Sequence, residues 1–224
     1  MPISTSPAPN EPLVQEQFDD IEQQRSAAQL GMWIFLATEV MFFGGLFASY
    51  TIFRNLHYSA FALGSHHLAV RFGATNTAVL ILSSLTMALA VHAAQTGKRK
   101  ALLFFLLATL VLGLTFLGVK WFFEWTPDYR EGWAPGLNWT VPGPESGHIE
   151  LFMFFYFMMT GVHALHMVVG AGMLTVLIML AARGHFPPEH PNAVEMAGLY
   201  WHFVDIIWIF LFPLLYLIGG RYGG

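Results

Sequence analysis

An all-α integral membrane bundle of five transmembrane helices with a polar N-terminal extension is the fold class this sequence predicts. Two observations predict it. Hydrophobic residues make up 55% of the 224 and charged residues only 11%, with a mean hydropathy of +0.54. A soluble domain carries about 25% charge, so this surface is not built to face water. The second observation is five apolar segments that approach or exceed the roughly 20 residues needed to cross a hydrocarbon core of about 30 Å.

The extension spans residues 1–29. It is polar and acidic, contains Pro2, Pro7, Pro9 and Pro12, and lacks the basic start and short apolar run of a secretory signal. Its first ten residues are expected to be disordered, and 11–25 to form a surface helix. The first membrane helix is expected over 30–53, LGMWIFLATEVMFFGGLFASYTIF. Glu39 lies nine residues from one end of it, about 13 Å into the layer. A carboxyl at that depth is costly against lipid, so it should face protein, a lipid headgroup or water. It is either a proton- or headgroup-handling group or a protonated carboxyl hydrogen-bonded inside the bundle. Gly44 and Gly45 let another helix or a lipid chain lie against the backbone.

The second and third helices are expected over 76–95 and 101–125. Ser83, Ser84 and the Thr75-Asn76-Thr77 run offer polar contacts to neighbouring helices. Lys120 and Glu124 are four apart and share a helix face. They are expected to pair near the helix end, where both can snorkel to water. Residues 126–148 form a Trp-, Pro- and Gly-rich outer loop in which a long helix is forbidden. Its Trp133, Trp139 and Tyr129 suit headgroup depth or a partner surface.

The fourth helix, 149–182, is long enough to tilt or project. It carries His163 and His166, three apart on one face. That spacing can serve metal, but bundle metal sites add facing carboxylates, and Glu39 alone is a thin supply. Haem ligation by His92, His163, His166 or His202 is the competing chemistry. The plainer reading is interhelical hydrogen bonding beside Gly161, Ala164 and Gly170. The fifth helix, 195–218, carries Glu195 and the run YWHFVDIIWIF. His202 and Asp205 are three apart and are expected to bond each other or a neighbouring helix. Trp201 and Trp208, seven apart, line one stripe.

An odd number of helices puts the two ends of the chain on opposite sides. With the N-terminus inside, the inner side holds Arg25, Arg183 and the tight Lys98-Arg99-Lys100 cluster, which favours this orientation. The sequence has no cysteine, which excludes disulfides, thiolate metal sites and cysteine nucleophiles. No larger basic patch exists, so nucleic-acid binding is not indicated. No internal repeat argues for an inverted-repeat transporter.

Four stretches carry a resemblance. GMWIFLATEVMFF, LGLTFLGVKWFFEW, TGVHALHMVVGAGML and LYWHFVDIIWIFLFPLLYL together resemble subunit III of the haem–copper terminal oxidases, in the family's order and over roughly 30–218. The five-helix form of that family fits the helix count and the N-inside orientation. By this resemblance Glu39 corresponds to the family's buried, carbodiimide-reactive glutamate, and Glu195 to another recurrent one. Lys120 departs from the family, which usually has an uncharged residue there, often Gln. The resemblance implies a subunit without haem or copper of its own, those groups lying in partner subunits. It implies packing against subunit I, with subunit II and a respiratory supercomplex as further partners, and phospholipid held in a V-shaped cleft. It further implies support of proton uptake in an oxygen-reducing, proton-pumping cytochrome c oxidase of a bacterial plasma membrane. The alternatives are subunit III of a quinol oxidase, an accessory protein of a nitric-oxide reductase, and a small membrane b-type cytochrome.

Overall fold

The computed structural model describes residues 18–183 and 192–218, and the regular structure among them is helical. In chain order these are α1 (Ile21–Leu56), α2 (Tyr58–His67), α3 (Val70–Gln95), α4 (Arg99–Val119), a π-helical segment (Lys120–Trp125), α5 (Thr126–Arg130), α6 (Ser146–Ala182) and α7 (Asn192–Tyr216). Five stretches are long and apolar enough to cross a membrane: Ile21–Leu56, Val70–Gln95, Arg99–Arg130, Ser146–Ala182 and Asn192–Tyr216. The Pro-rich start of the extension, residues 11–17 of the surface helix expected over 11–25, and Arg221 lie outside the described residues.

Helix α1 begins at Ile21 rather than at residue 30. The stretch IEQQRSAAQ contains neither Pro nor Gly, and its Glu, Gln and Ala residues are good helix formers. Asp20 caps it by accepting from the Gln23 backbone N–H at 2.6 Å, and Gln23 Oε1 accepts from the Asp19 N–H at 2.7 Å, a reciprocal arrangement akin to a capping box. Residues up to Glu39 form one compact unit, and those from Val40 onward form another that holds the helix bundle.

Within that second unit, α3 packs against α4 and α7, and α6 packs against the same two. The four helices close into a ring. Trp201 ties three of them together. Its indole lies against Gly113 of α4 and Gly170 of α6, where an added Cβ would fall 2.7 and 2.9 Å from the ring. Its Nε1–H donates to Ser83 Oγ of α3 at 2.9 Å. Two turns on, Trp208 Nε1–H donates to Thr77 Oγ1 of α3 at 3.0 Å, so the tryptophan stripe of α7 is satisfied by the hydroxyl stripe of α3. The outward faces are apolar, with Leu165, Val168 and Val169 of α6 all exposed, as a lipid-facing surface requires.

Tight connections follow from local chemistry. After α3, Gly97 takes φ +67°. The Gly97 N–H then bonds Ala94 O at 3.1 Å and the Lys98 N–H bonds Ala93 O at 2.9 Å, a Schellman termination. Arg99 reaches across to the C-terminus of α6, donating to Ala181 O at 2.9 Å and also to Ala182 O. A cation there satisfies orphan carbonyls and the helix dipole.

One departure from sequence expectation is informative. Helix α2 has no counterpart among the expected segments. It has 10 residues, too short to span, and it buries Ala60, Phe61, Gly64 and Ser65, a helical i, i+1, i+4, i+5 pattern. The Trp-, Pro- and Gly-rich loop before α6 is held by side-chain hydrogen bonds. Trp139 Nε1–H donates to Ser146 Oγ at 2.9 Å, and Glu150 accepts from the Gly136 N–H at 3.0 Å.

Candidate functional site

The segment Lys120–Trp125 winds as a π-helix, a local widening frequent at functional positions. Thr126 Oγ1 donates to Trp121 O, five residues back, at 2.7 Å. The widened turn still places Lys120 and Glu124 on one face, and both point into the bundle. Lys120 is 1% exposed and Glu124 5%. The sequence expectation that both snorkel to water at the helix end is therefore corrected. The apolar environment does not release them, because α6 and α7 bring aromatic hydroxyls to the same point.

The hydrogen bonds can be counted completely. Lys120 Nζ donates to Glu124 Oε2 at 2.6 Å, to Tyr156 Oη at 3.1 Å and to Tyr216 Oη at 2.5 Å. An ammonium has three protons, and each has a partner. Tyr156 donates to Glu124 Oε2 at 2.9 Å, and Tyr216 donates to the same oxygen. The rings of Tyr156, Trp208 and Tyr216 sit 4.7, 5.0 and 5.1 Å from Nζ, so the cation is also caged by aromatic rings. One lysine from the π-segment thus anchors α6 and α7.

Glu124 Oε1 has no hydrogen-bond partner. Glu124 lines a cavity of about 160 Å³ together with His67, Asp128, Glu131 and Tyr156. Such a volume accommodates several waters at about 30 Å³ each. His67 Nε2 lies 3.0 Å from Asp128 Oδ1, and the His67 ring stacks on Trp133 at 3.7 Å. A cavity with polar groups in its wall therefore joins the buried cluster to the Trp-rich loop.

The sequence reading singled out Lys120 and Glu124 but not Tyr156, Tyr216, His67 or Asp128. Asp128 was accessible through spacing, since 120, 124 and 128 repeat every four residues. The tyrosines had no signal beyond their type, because only packing brings α6 and α7 to this point.

The histidines are placed differently from one another. His163 is buried against Phe116 and Trp208, with ring centroids 5.3 and 5.2 Å away, and neither of its ring nitrogens has a hydrogen-bond partner. The expected interhelical hydrogen bond is absent at this residue because aromatic rings occupy its surroundings. His166 Nδ1 instead contacts Val162 O of its own helix at 2.8 Å, while Tyr200 of α7 donates to the His166 carbonyl at 3.0 Å. His202 and Asp205 do not bond each other. His202 Nδ1 meets Ser84 Oγ of α3 at 2.8 Å, and the buried Asp205 carboxyl lies on the face of α7 that meets Ser84.

Glu195, in the first turn of α7, accepts from Gln95 Nε2 at 2.8 Å, which fastens the end of α3 to the start of α7. Glu39 is half-exposed. Among the described residues, no three His, Asp or Glu side chains converge to hold a metal ion.

Comparison with known proteins agrees in kind. The family described as "Cytochrome c oxidase subunit III" matches residues 146–220. The chain is 31% identical over 191 residues to "Quinol oxidase subunit 3" of Bacillus subtilis (strain 168), covering 85% of this chain and 86% of the relative. It is 32% identical over 191 residues to "Cytochrome c oxidase subunit 3" of Corynebacterium diphtheriae, covering 84% and 87%. It is 30% identical over 199 residues to "Probable quinol oxidase subunit 3" of Staphylococcus haemolyticus, covering 88% and 91%.

Proposed function

We propose that this chain, which belongs to the subunit III family of the haem–copper terminal oxidases, serves a proton-pumping cytochrome c oxidase. It is an integral membrane subunit of an oxidase complex. The observation that supports the oxidase-subunit part of the reading is likeness at 30–32% identity along nearly the full length of chains named as oxidase third subunits, joined to five helices fit to cross a membrane. Electron transfer and oxygen chemistry belong to the haem and copper of partner subunits. This chain contributes a rigid membrane body.

In this reading the bundle packs directly on subunit I, with subunit II and a respiratory supercomplex beyond it, in the plasma membrane of a bacterium. The N-terminus faces inside and the C-terminus outside. The Lys98-Arg99-Lys100 cluster supports that orientation. The half-exposed Glu39, set in an apolar stretch, handles protons or a phospholipid headgroup and so sustains proton uptake. The open backbone at Gly44 and Gly45, with nothing within 4 Å of an added Cβ, supports an adjacent lipid chain.

A quinol oxidase is the second reading, favoured by the likeness to the Bacillus and Staphylococcus proteins. The test is gentle purification of the complex through a tag on this chain, an absorption spectrum, and oxygen-uptake assays with reduced cytochrome c and with a quinol. A haem-bearing complex oxidising cytochrome c supports the first reading. Oxidation of quinol alone replaces it with the second. Haem absorption from this chain with no partner present refutes both.

A further inference from the structure

The last residue of α2 is a histidine that reaches two groups at once. His67 Nε2 lies 3.0 Å from Asp128 Oδ1 of α5, and its ring lies flat on that of Trp133, with centroids 3.7 Å and planes 9° apart. The imidazole bridges elements that otherwise stand apart. Among the described residues the α2 backbone packs on α6 and α7 but not on α5, and the cavity beside Glu124 is walled by Leu68 and Ala69 on one side and by Pro127 on the other. By contrast, α5 and the loop are tied to each other through the backbone. The Trp133 N–H donates to Asp128 O at 2.9 Å, and the Thr140 N–H donates to Gly132 O at 2.9 Å. One side chain therefore docks this unit on α2.

Charge decides what that docking depends on. Asp128 is 7% exposed, and its ion-pair partner is His67. A buried carboxylate without a cation is costly, and the Lys120 ammonium is already committed to Glu124 at 2.6 Å. Glu131, the third carboxyl in the cavity wall, adds negative charge. The groups that α6 and α7 bring are the phenols of Tyr156 and Tyr216, both engaged with Lys120 and Glu124. His66 and Arg71, the neighbouring cationic side chains, are exposed. His57 and His148, with Glu145, stack at the opposite end of α2. The cation that Asp128 requires is thus His67 with both ring nitrogens protonated. The fold favours it in three ways: the carboxylate beside it, the face of the Trp133 ring, and the C-terminus of α2, where positive charge meets the helix dipole.

We propose that the His67–Asp128 pair is a proton-operated latch: the proton it binds holds α5 and the Trp-rich loop against α2, and loss of that proton releases them. Histidine is the side chain that changes charge between about pH 5 and 8. Acid closes the latch and rising pH opens it, because the carboxylate, the indole face and the helix end all favour the protonated ring. A neutral imidazole still donates one hydrogen bond to Asp128, but it forfeits the ion pair and the cation–π contact. Release opens the cavity beside Glu124 from the side of the loop. In the orientation proposed above, the latch faces the outer medium.

The test uses the full chain in lipid nanodiscs. The sequence has no cysteine, so Leu137→Cys, at an exposed position of the loop, takes a single nitroxide label whose mobility reports the docking. Leu165→Cys, on the exposed face of α6, is the control. The expected result is a held loop at about pH 5 and a free one at about pH 8. Through the transition the ratio of free to held label should rise about tenfold per pH unit, the slope of a single proton, while the control label does not respond. His67→Gln keeps an amide donor without a titrating ring, and Asp128→Asn keeps an acceptor without the charge; each should erase the transition. An imidazole NMR titration of His67 in the unsubstituted chain should show protonation at the same midpoint. Label mobility that is unchanged across the range overturns the proposal. A transition that survives in His67→Gln also overturns it, by assigning the response to another group such as the His57–His148 stack. So does a His67 ring that keeps one protonation state throughout.

Discussion

Removing the Glu124 charge should cost far more than removing the whole Lys120–Glu124 pair. In Glu124→Gln the ammonium of Lys120, 1% exposed, loses its anion but keeps the hydroxyls of Tyr156 and Tyr216. A buried charge stripped of its partner costs about 3–5 kcal/mol. The rings 4.7–5.1 Å from Nζ recover about 0.5–2 kcal/mol at most, and they are present in the wild type as well. Lys120→Met leaves Glu124 buried with two tyrosine donors and no cation, a loss in the same range. The double variant Lys120→Met/Glu124→Gln has no buried charge, and Gln still accepts from the tyrosines. It should lie within about 1–2 kcal/mol of wild type, since replacing a buried pair by neutral groups is often close to neutral. The coupling between the sites is then about 4 kcal/mol or more, measurable by a double-mutant cycle. Denaturant titration of the purified complex in mixed micelles, read by the intact fraction, gives the four corners. The reasoning is refuted if either single variant stays within about 1 kcal/mol of wild type, or if the double variant costs the sum of the singles.

Two further outcomes are expected. Gly113→Val puts a branched side chain where even a Cβ would lie 2.7 Å from Trp201. It should destabilise by about 1–3 kcal/mol through overpacking, and Trp201→Leu in the same chain should restore part of the loss; the same denaturant titration checks both. Glu39→Gln, which removes the charge from a half-exposed carboxyl in an apolar helix, should leave assembly intact and change the rate at which the enzyme loses activity during sustained turnover. Identical decay of oxygen uptake in wild type and variant would remove Glu39 from any proton- or lipid-linked role.

The sequence by itself determined the material and the plan. Composition required a membrane, because 11% charge cannot solvate a water-facing surface. Apolar runs located all five long helices, because the bilayer imposes one length on every span. Lys120 and Glu124 were legible as a pair, because i,i+4 adjacency is a property of one helix. What tertiary structure alone decided was everything that depends on which helix stands beside which. It buried the Lys120 charge instead of letting it snorkel, because Tyr156 and Tyr216 arrive from elements separated in the chain by 36 and 96 residues. It gave His202 to Ser84 rather than to Asp205, because α3 stands against that face of α7. It buried the Asp205 carboxyl on the face of α7 that meets Ser84. Spacing along one helix reports which side chains share a face, and only the packing of several helices settles what that face meets.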